Sequence, residues 1–367
     1  MSSTLGTNYK ISIFGESHGT AIGAVIDAPP PGLEIDMEQV LVQMARRAPD
    51  GKDGSTKRVE ADTPHIQSGV LDRDGKCIAT GAPLCVLIQN TNTRSSDYQN
   101  ISHIARPSHA DYTGYIHYHG YNDIRGGGHF SGRLTAPLVF AGAVARQALA
   151  KMGIRVCAHI ASIGDVCDTP LDPCAIPAEI SERLSQSGFP VLDEVQEKLM
   201  KNEIERARMD ADSVGGIIEC AVTGIPAGIG APIFDALECK IAHAVLGVPA
   251  VKGIEFGAGF AITRMRGSAA NDPMRMQGGQ VVTTSNNNGG ILGGIANGMP
   301  VIFRAAVKPT ASIGLPQQSI DYVDKQEADL IIKGRHDACI VPRAVPVIEA
   351  AAAVAILDEI MAEGKYE

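Results

Sequence analysis

Tyr9-Lys10-Ile11-Ser12-Ile13, then Ala24-Val25-Ile26, then Pro29-Pro30-Pro31-Gly32 and Asp36, lay out two strands, a break and a helix in the first fifty residues. Tyr9, Ile11 and Ile13 fall on one face and Lys10 and Ser12 on the other, the period of a half-buried strand. A turn region from Gly15 to Gly23 leads into a second strand, and the proline run is a firm break. Asp36 caps a helix, with Gln39 three residues on as a capping box and Val40, Leu41 and Met44 as its apolar face. That helix ends near Ala48-Pro49. Arg46 and Arg47 stand in its last turn, where cations favour the helix dipole.

Working outward, apolar residues at three- and four-residue spacing predict helices at about 135–151, 191–208 and 232–246, and an alanine-rich helix closes the chain from about Pro346 to Ala362. Cys85 to Ile88 reads as a strand. Val214 to Ala221 and Gly289 to Arg304 mix glycine with β-branched residues, as strands packed closely on helices do. No βαβαβ series appears, so a doubly wound parallel sheet is disfavoured and the fold class is α+β. Ser17–Gly32 and Ser213–Gly228 echo each other, a pattern that an internal repeat or shared glycine content would both produce.

Composition narrows the function. The 367 residues are 44% apolar and 20% charged, a globular composition. Lys+Arg 32 against Asp+Glu 41 gives a net charge of −9, which disfavours a nucleic-acid binder, since counterion release needs cationic surface. Eight cysteines include no C-x-x-C pair, as in a protein with reduced thiols. No basic start precedes an apolar run, and the apolar stretch Leu134 to Ala150 is broken by Arg146 and Gln147. The expectation is a cytoplasmic protein that neither enters a membrane nor binds nucleic acid.

Residues 103–133 hold five of the ten histidines and three arginines. Three segments place a histidine among small or polar residues with a charged neighbour: Gly15-Glu16-Ser17-His18-Gly19, Arg106-Pro107-Ser108-His109-Ala110-Asp111 and Gly334-Arg335-His336-Asp337. Histidine titrates near neutrality and can hand a proton to a leaving group. The arginines Arg46, Arg47, Arg106, Arg125, Arg133 and Arg335 mostly sit beside Gly or Pro, and guanidinium groups grip phosphate and carboxylate through paired donors. In an acidic chain that set points to a pocket for a strongly anionic small molecule. Arg125-Gly126-Gly127-Gly128-His129 and Lys308-Pro309-Thr310-Ala311-Ser312 are candidate phosphate turns. His117, His119 and His129 have a spacing that can ligate zinc, but single motif matches often fail and no metal is expected.

Taken together these blocks resemble the chorismate synthase family nearly end to end, from Phe14-Gly15-Glu16-Ser17-His18-Gly19 to Ala344-Val345-Pro346. The likeness includes Asn90-Thr91-x-x-Arg94-Ser95-x-Asp97-Tyr98, Gly289-Gly290-Ile291-Leu292-Gly293-Gly294 and Lys308-Pro309-Thr310. It implies a lyase that converts 5-enolpyruvylshikimate 3-phosphate into chorismate and phosphate by an anti 1,4-elimination requiring reduced FMN. It implies catalytic roles for three residues: His18 as acid to the leaving phosphate, His109 beside the reduced flavin, and Asp337 in removal of the C6 proton. Ser17, Arg46, Arg47, Arg106, Arg133 and Arg335 would bind substrate, and Arg47 would also meet NADP where that cofactor is used. His129, Phe130, Ser131, Ala250, Gly293, Lys308, Pro309, Thr310, Ala311, Ser312 and Arg335 would hold the flavin.

The implied fold is one domain over residues 1–367, a β-α-β sandwich with helices between two antiparallel sheets and internal pseudo-symmetry, assembled as a homotetramer. An external flavin reductase would supply the reduced cofactor. Two other readings are a flavin oxidoreductase turning over NADPH and a non-catalytic anion binder. The chain departs from the family pattern at His129-Phe130, where arginine and serine are common, and at Pro249, where asparagine is frequent. Lys52 is a candidate for a further basic residue.

Overall fold

The computed structural model of the chain describes residues 3–49, 62–91, 103–332 and 337–366. Lys52, Arg94, Ser95, Asp97, Tyr98, Arg335 and His336 lie outside the described residues. The helices are α1 (Met37–Arg47), α2 (Asp111–His117), α3 (Thr135–Lys151), α4 (Ala178–Gln186), α5 (Glu194–Met209), α6 (Leu237–Leu246), α7 (Gly267–Ala270) and α8 (Val341–Ala362).

Two five-stranded antiparallel sheets enclose α1, α3, α6 and α8. The first runs Thr4–Leu5, Lys10–Gly15, Ala21–Asp27, Leu84–Gln89, Pro64–Ser68. The second runs Val166–Cys167, Arg155–Ile163, Gly216–Thr223, Val301–Val307, Val251–Phe256. α3 packs on the first sheet and α8 on the second, and the two helices pack on each other. Both are mostly apolar without a single hydrophobic face, because both are buried along most of their length. Their crossing is close. A Cβ on Gly142 of α3 would stand 2.3 Å from the Ala350 Cβ, which explains why α8 carries the run Ala350-Ala351-Ala352-Ala353 there.

The repeat is real in the topology. In each sheet two neighbouring strands are followed by a helix (α1 or α6) and then by an edge strand. A further strand then inserts between edge and middle, and a long buried helix (α3 or α8) closes the unit. The echo between Ser17–Gly32 and Ser213–Gly228 falls on the two matching middle strands, Ala21–Asp27 and Gly216–Thr223. This is the expected β-α-β layering.

Some boundaries shift. The last helix begins at Val341, five residues before the proline taken as its start, because Pro342 fits a first turn and the chain runs on helically through Pro346. The helix placed at 232–246 begins at Leu237 after a 3-10 turn at Ile233–Asp235. Gly289–Arg304 divides into a two-stranded hairpin (Ile291–Leu292 with Ile295–Ala296) and the start of the strand Val301–Val307. At α1 the Asp36 carboxylate accepts from the Glu38 and Gln39 amides as expected. Its own N–H donates to Gln147 Oε1 of α3 at 2.7 Å, so the reciprocal half of the capping box is supplied by a neighbouring helix.

The second sheet carries a buried charge device. His159 is fully buried, with Nδ1 2.9 Å from Asp168 and Nε2 3.0 Å from Glu219. The same carboxylates accept from the amides of Leu171, Leu192 and Asp193, tying the 168–193 segment to the sheet. Burial alone would lower the His159 pKa, but the two carboxylates outweigh it and raise it above 6.5. A histidine pKa raised by folding stabilises the native state fully below the unfolded value, and that stabilisation is lost as pH rises through the folded value. Wild-type stability in urea is therefore expected to fall from pH 6 upward, and the fall should be flattened in His159→Gln. Parallel slopes for the two proteins across that range would refute this.

Candidate active site

A cavity of about 950 Å³ opens where ends of both sheets meet the inner helices. The strand Lys10–Gly15 delivers Ser17 and His18 to it. The C-terminus of α1 delivers Arg47, the 105–111 turn Arg106 and His109, and the start of α3 Arg133 and Thr135. From the other half come Ala250, Lys252 and the Lys308–Ser312 turn, and from the approach to α8 come Asp337 and Arg343.

The glycine run is the floor beneath both histidines. Gly126, Gly127 and Gly128 have φ of 61, 89 and 54°, which L side chains rarely adopt. A Cβ on Gly126 would stand 2.4 Å from Ser17 Oγ and 2.6 Å from His18 Nε2, and one on Gly127 3.2 Å from His109 Nε2. Only bare backbone lets both imidazoles lie this close to one turn. The loop is pinned by the Ser17 amide donating to Gly128 O at 3.1 Å and by Ser17 Oγ donating to Gly126 O at 3.2 Å. Gly126→Ala is expected to lower kcat at least tenfold while moving Tm by a few degrees, since a Cβ at this positive φ locally displaces the buried His18 and Ser17. Steady-state kinetics beside a melting curve checks this, and wild-type kcat would contradict it.

His109 is fixed by ionic partners. Its Nδ1 lies 2.7 Å from Asp111 Oδ1, and Asp111 is gripped by Arg106 through Nε and Nη2, both at 2.7 Å. Burial alone would raise the Asp111 pKa, but the hydrogen bonds from Arg106 and His109 hold it well below the usual carboxylate range. A permanently ionised Asp111 favours the proton on Nδ1 and leaves Nε2 for chemistry on the cavity side.

Asp62 binds two cavity arginines at once, Arg47 on Oδ2 and Arg133 on Oδ1. Burial, opposed by Asp62 and aided by Arg343 and Arg133, brings the Arg47 pKa down to about 10, so Arg47 stays cationic at neutral pH. Arg343 donates to Arg47 O at 3.0 Å and to Asp337 Oδ2 at 2.8 Å, joining α1 to the Asp337 carboxylate. Lys308 Nζ donates to Ser108 O, bridging the two halves of the chain across the cavity.

Of the residues singled out in the sequence, the structure gathers Ser17, His18, Arg47, Arg106, His109, His129, Phe130, Ser131, Arg133, Ala250, Lys308, Pro309, Thr310, Ala311, Ser312 and Asp337 around this cavity. Arg46 and Gly293 are elsewhere. Arg46 follows the turn of α1 inward and pairs with buried Glu349 at 2.6 Å, because adjacent helical residues point about 100° apart. Gly293 sits at the tip of the Ile291–Leu292 hairpin, outside the lining. His129 lines the cavity but its ring is engaged, Nδ1 with Gly15 O at 2.8 Å and Nε2 with Ser3 Oγ at 2.7 Å. Arg125 is half exposed on Asp123. No group of three or more metal-ligating side chains is arranged to hold an ion among the described residues. Asp62, Lys252 and Arg343 had escaped the sequence reading. Arg343 alone carried a local signal, an arginine inside Val341-Pro342-Arg343-Ala344-Val345-Pro346 at the mouth of an apolar helix.

A two-sheet sandwich with four histidines and six cationic side chains (Arg47, Arg106, Arg133, Lys252, Lys308 and Arg343) among the described residues around one cavity defines an enzyme that works on an anionic substrate. A family model described as chorismate synthase matches residues 9–361. The chorismate synthase of Dehalococcoides mccartyi is 44% identical over 360 residues, covering 98% of this chain and 96% of its own. That of Thermococcus kodakarensis is 44% identical over 362 residues, covering 99% and 98%. A crystal structure of chorismate synthase superimposes with a TM-score of 0.74 at 27% identity, covering 96% of this chain and 91% of that one. The chain belongs to the chorismate synthase family. Its activity is accordingly that of a carbon–oxygen lyase of the shikimate pathway.

Proposed function

We propose that this cavity converts 5-enolpyruvylshikimate 3-phosphate into chorismate and inorganic phosphate by an anti 1,4-elimination, with reduced FMN as its cofactor. The observation that carries the reading is the pair His18 and His109 closing on one glycine turn amid Arg47, Arg106, Arg133, Lys308 and Arg343. The substrate carries one phosphate and two carboxylates, and guanidinium forks suit both.

The residues present fit a flavin phosphate. Thr310 Oγ1 is buried without a hydrogen-bond partner among the described residues, in the turn that also presents Lys308 and Ser312, which is the state expected of a hydroxyl kept for a ligand. The volume lies at the upper end of the range for small-molecule sites, with room for two ligands. Ile11, Ile13, Leu134, Leu138 and Val248 form an apolar wall suited to a flat ring system. Lys308, Thr310, Ser312 and the strained Ala250, at φ 72°, would hold the cofactor. Reduced flavin held there would supply electron density to the allylic system, and the reaction is redox-neutral overall.

The protein's own residues supply the rest. Arg47, Arg106 and Arg133 bind the anionic groups. His18 donates a proton to the departing phosphate as the C3–O bond breaks. Asp337, oriented by Arg343, receives the C6 proton; the electron pair of the C6–H bond becomes the C1=C6 double bond, the C1=C2 pair shifts to C2=C3, and the C3–O pair leaves with the phosphate. His109, fixed by Asp111, presents Nε2 to the cofactor side. Cytoplasmic location, homotetrameric assembly and an external reductase belong to the same proposal. With chemically reduced FMN under anaerobic conditions and no pyridine nucleotide, the protein is expected to release phosphate and form chorismate in equal amounts. No phosphate release would end the proposal, and release only with NADPH would move it to the oxidoreductase reading.

A further inference from the structure

We propose that the cleft between α1, α3 and α4 is a second anion site, separate from the catalytic cavity, taking a hydroxylated monocarboxylate. The cleft has a volume of about 640 Å³, and its lining includes Gln39, Arg146, Arg155, Ser181, Ser185 and Gln186. Its floor is a buried ion cluster. Glu349 is fully buried and accepts from Arg46 Nη1 at 2.6 Å and from Arg146 Nη1 at 2.9 Å. Two guanidinium groups on one carboxylate leave one positive charge uncompensated at low dielectric. Buried charge of this kind draws a counter-charge.

Arg146 has the means to take one. Its Nη1 is spent on Gln43 Oε1 and Glu349, and one Nη2 hydrogen on Val156 O at 3.0 Å. The Nε hydrogen and the second Nη2 hydrogen have no acceptor among the described residues, and the side chain is 18% exposed, on the cleft. That Nε–Nη2 edge is the fork by which Arg106 grips Asp111 and Arg125 grips Asp123 elsewhere in this chain. A planar carboxylate fits it with two parallel hydrogen bonds. Arg155, which forms no ion pair among the described residues, stands on the same cleft. Glu182 is the acidic side chain of the lining and is exposed at the rim.

One net charge in the floor matches a monoanion better than a phosphate dianion. The amide and hydroxyl groups around it supply partners for ligand hydroxyls. α1 therefore sends neighbouring arginines to different places, Arg46 into the buried cluster on Glu349 beneath this cleft and Arg47 into the catalytic cavity.

The test is calorimetric titration of the full chain with sodium gluconate, with neutral sorbitol and inorganic phosphate as separate probes. Gluconate is expected to bind once per chain, sorbitol not at all, and phosphate about tenfold more weakly or worse. Ala150→Phe, which fills the cleft from an exposed position on α3, and Arg155→Gln should each weaken gluconate about tenfold or more. Arg106→Ala, in the other cavity, should leave it unchanged. Absence of gluconate binding up to about 10 mM overturns the site. So does binding that survives Ala150→Phe and disappears in Arg106→Ala. Equal binding of sorbitol or phosphate overturns the assignment to a monocarboxylate.

Discussion

His18→Ala is expected to lower turnover about 10²- to 10⁴-fold while substrate affinity changes by less than about threefold. In the proposed mechanism the leaving phosphate departs as an anion whose charge must be met in the transition state, and His18, which lies with Ser17 against the Gly126 backbone, is the proposed proton donor. The same proposal assigns ground-state binding to Arg47, Arg106 and Arg133, which the substitution leaves in their ion pairs with Asp62 and Asp111. A loss confined to kcat is the mark of an interaction made only in the transition state. His109→Ala should cost a similar factor for a different reason, since it empties the position that Asp111 and Arg106 hold. Asp111→Asn should then reproduce part of the His109 loss and none of the His18 loss. Single-turnover phosphate release, compared with melting curves, separates these cases. Wild-type rates in both histidine variants would remove their assigned roles.

Glu349→Ala is expected to cost about 3–5 kcal/mol of folding stability. Glu349 is 0% exposed, accepts from Arg46, Arg146 and the Ala158 amide, and sits in α8 at the centre of the sandwich. Its removal leaves two guanidinium groups facing each other without a counter-charge and one sheet amide without an acceptor. A globular protein has a margin of about 5–15 kcal/mol, so a large share of the stability goes. Glu349→Gln keeps an acceptor and restores shape, and should recover a minority of the loss because the charge imbalance remains. Urea denaturation of the three proteins measures this. A loss below about 1 kcal/mol in the alanine variant would show that solvent reaches the arginines and that the cluster is not a buried charge network.

Much of the site was legible because its chemistry sits in short local blocks. His18 beside Gly19, His109 between Arg106 and Asp111, and the Lys308–Ser312 turn each announce themselves within a few residues, since a ligand-facing loop needs small neighbours and nearby charge. Asp62 gave no such signal. It is a carboxylate beside a polar loop, and its two arginines come from α1 and from the entry to α3. Arg46 was misleading for the same reason. Helical geometry sends it and Arg47 to different sides, and sequence adjacency does not say which side holds the cavity. The strand Arg155–Ile163 escaped because it is buried on both faces and shows no alternation.

Periodicity, turn residues and local charge, which are properties of neighbours in the chain, were enough for the α+β class, the central helices and the residue types of the chemistry, while the echo between Ser17–Gly32 and Ser213–Gly228 became a repeat only once the two middle strands matched in the topology. Only the tertiary structure decided which arginine meets Asp62 and which meets Glu349, and that Arg343 reaches Asp337 and the end of α1. Those pairings follow from the packing of α1, α3 and α8 between two sheets, where burial brings Arg46 to a carboxylate 303 positions away in the chain.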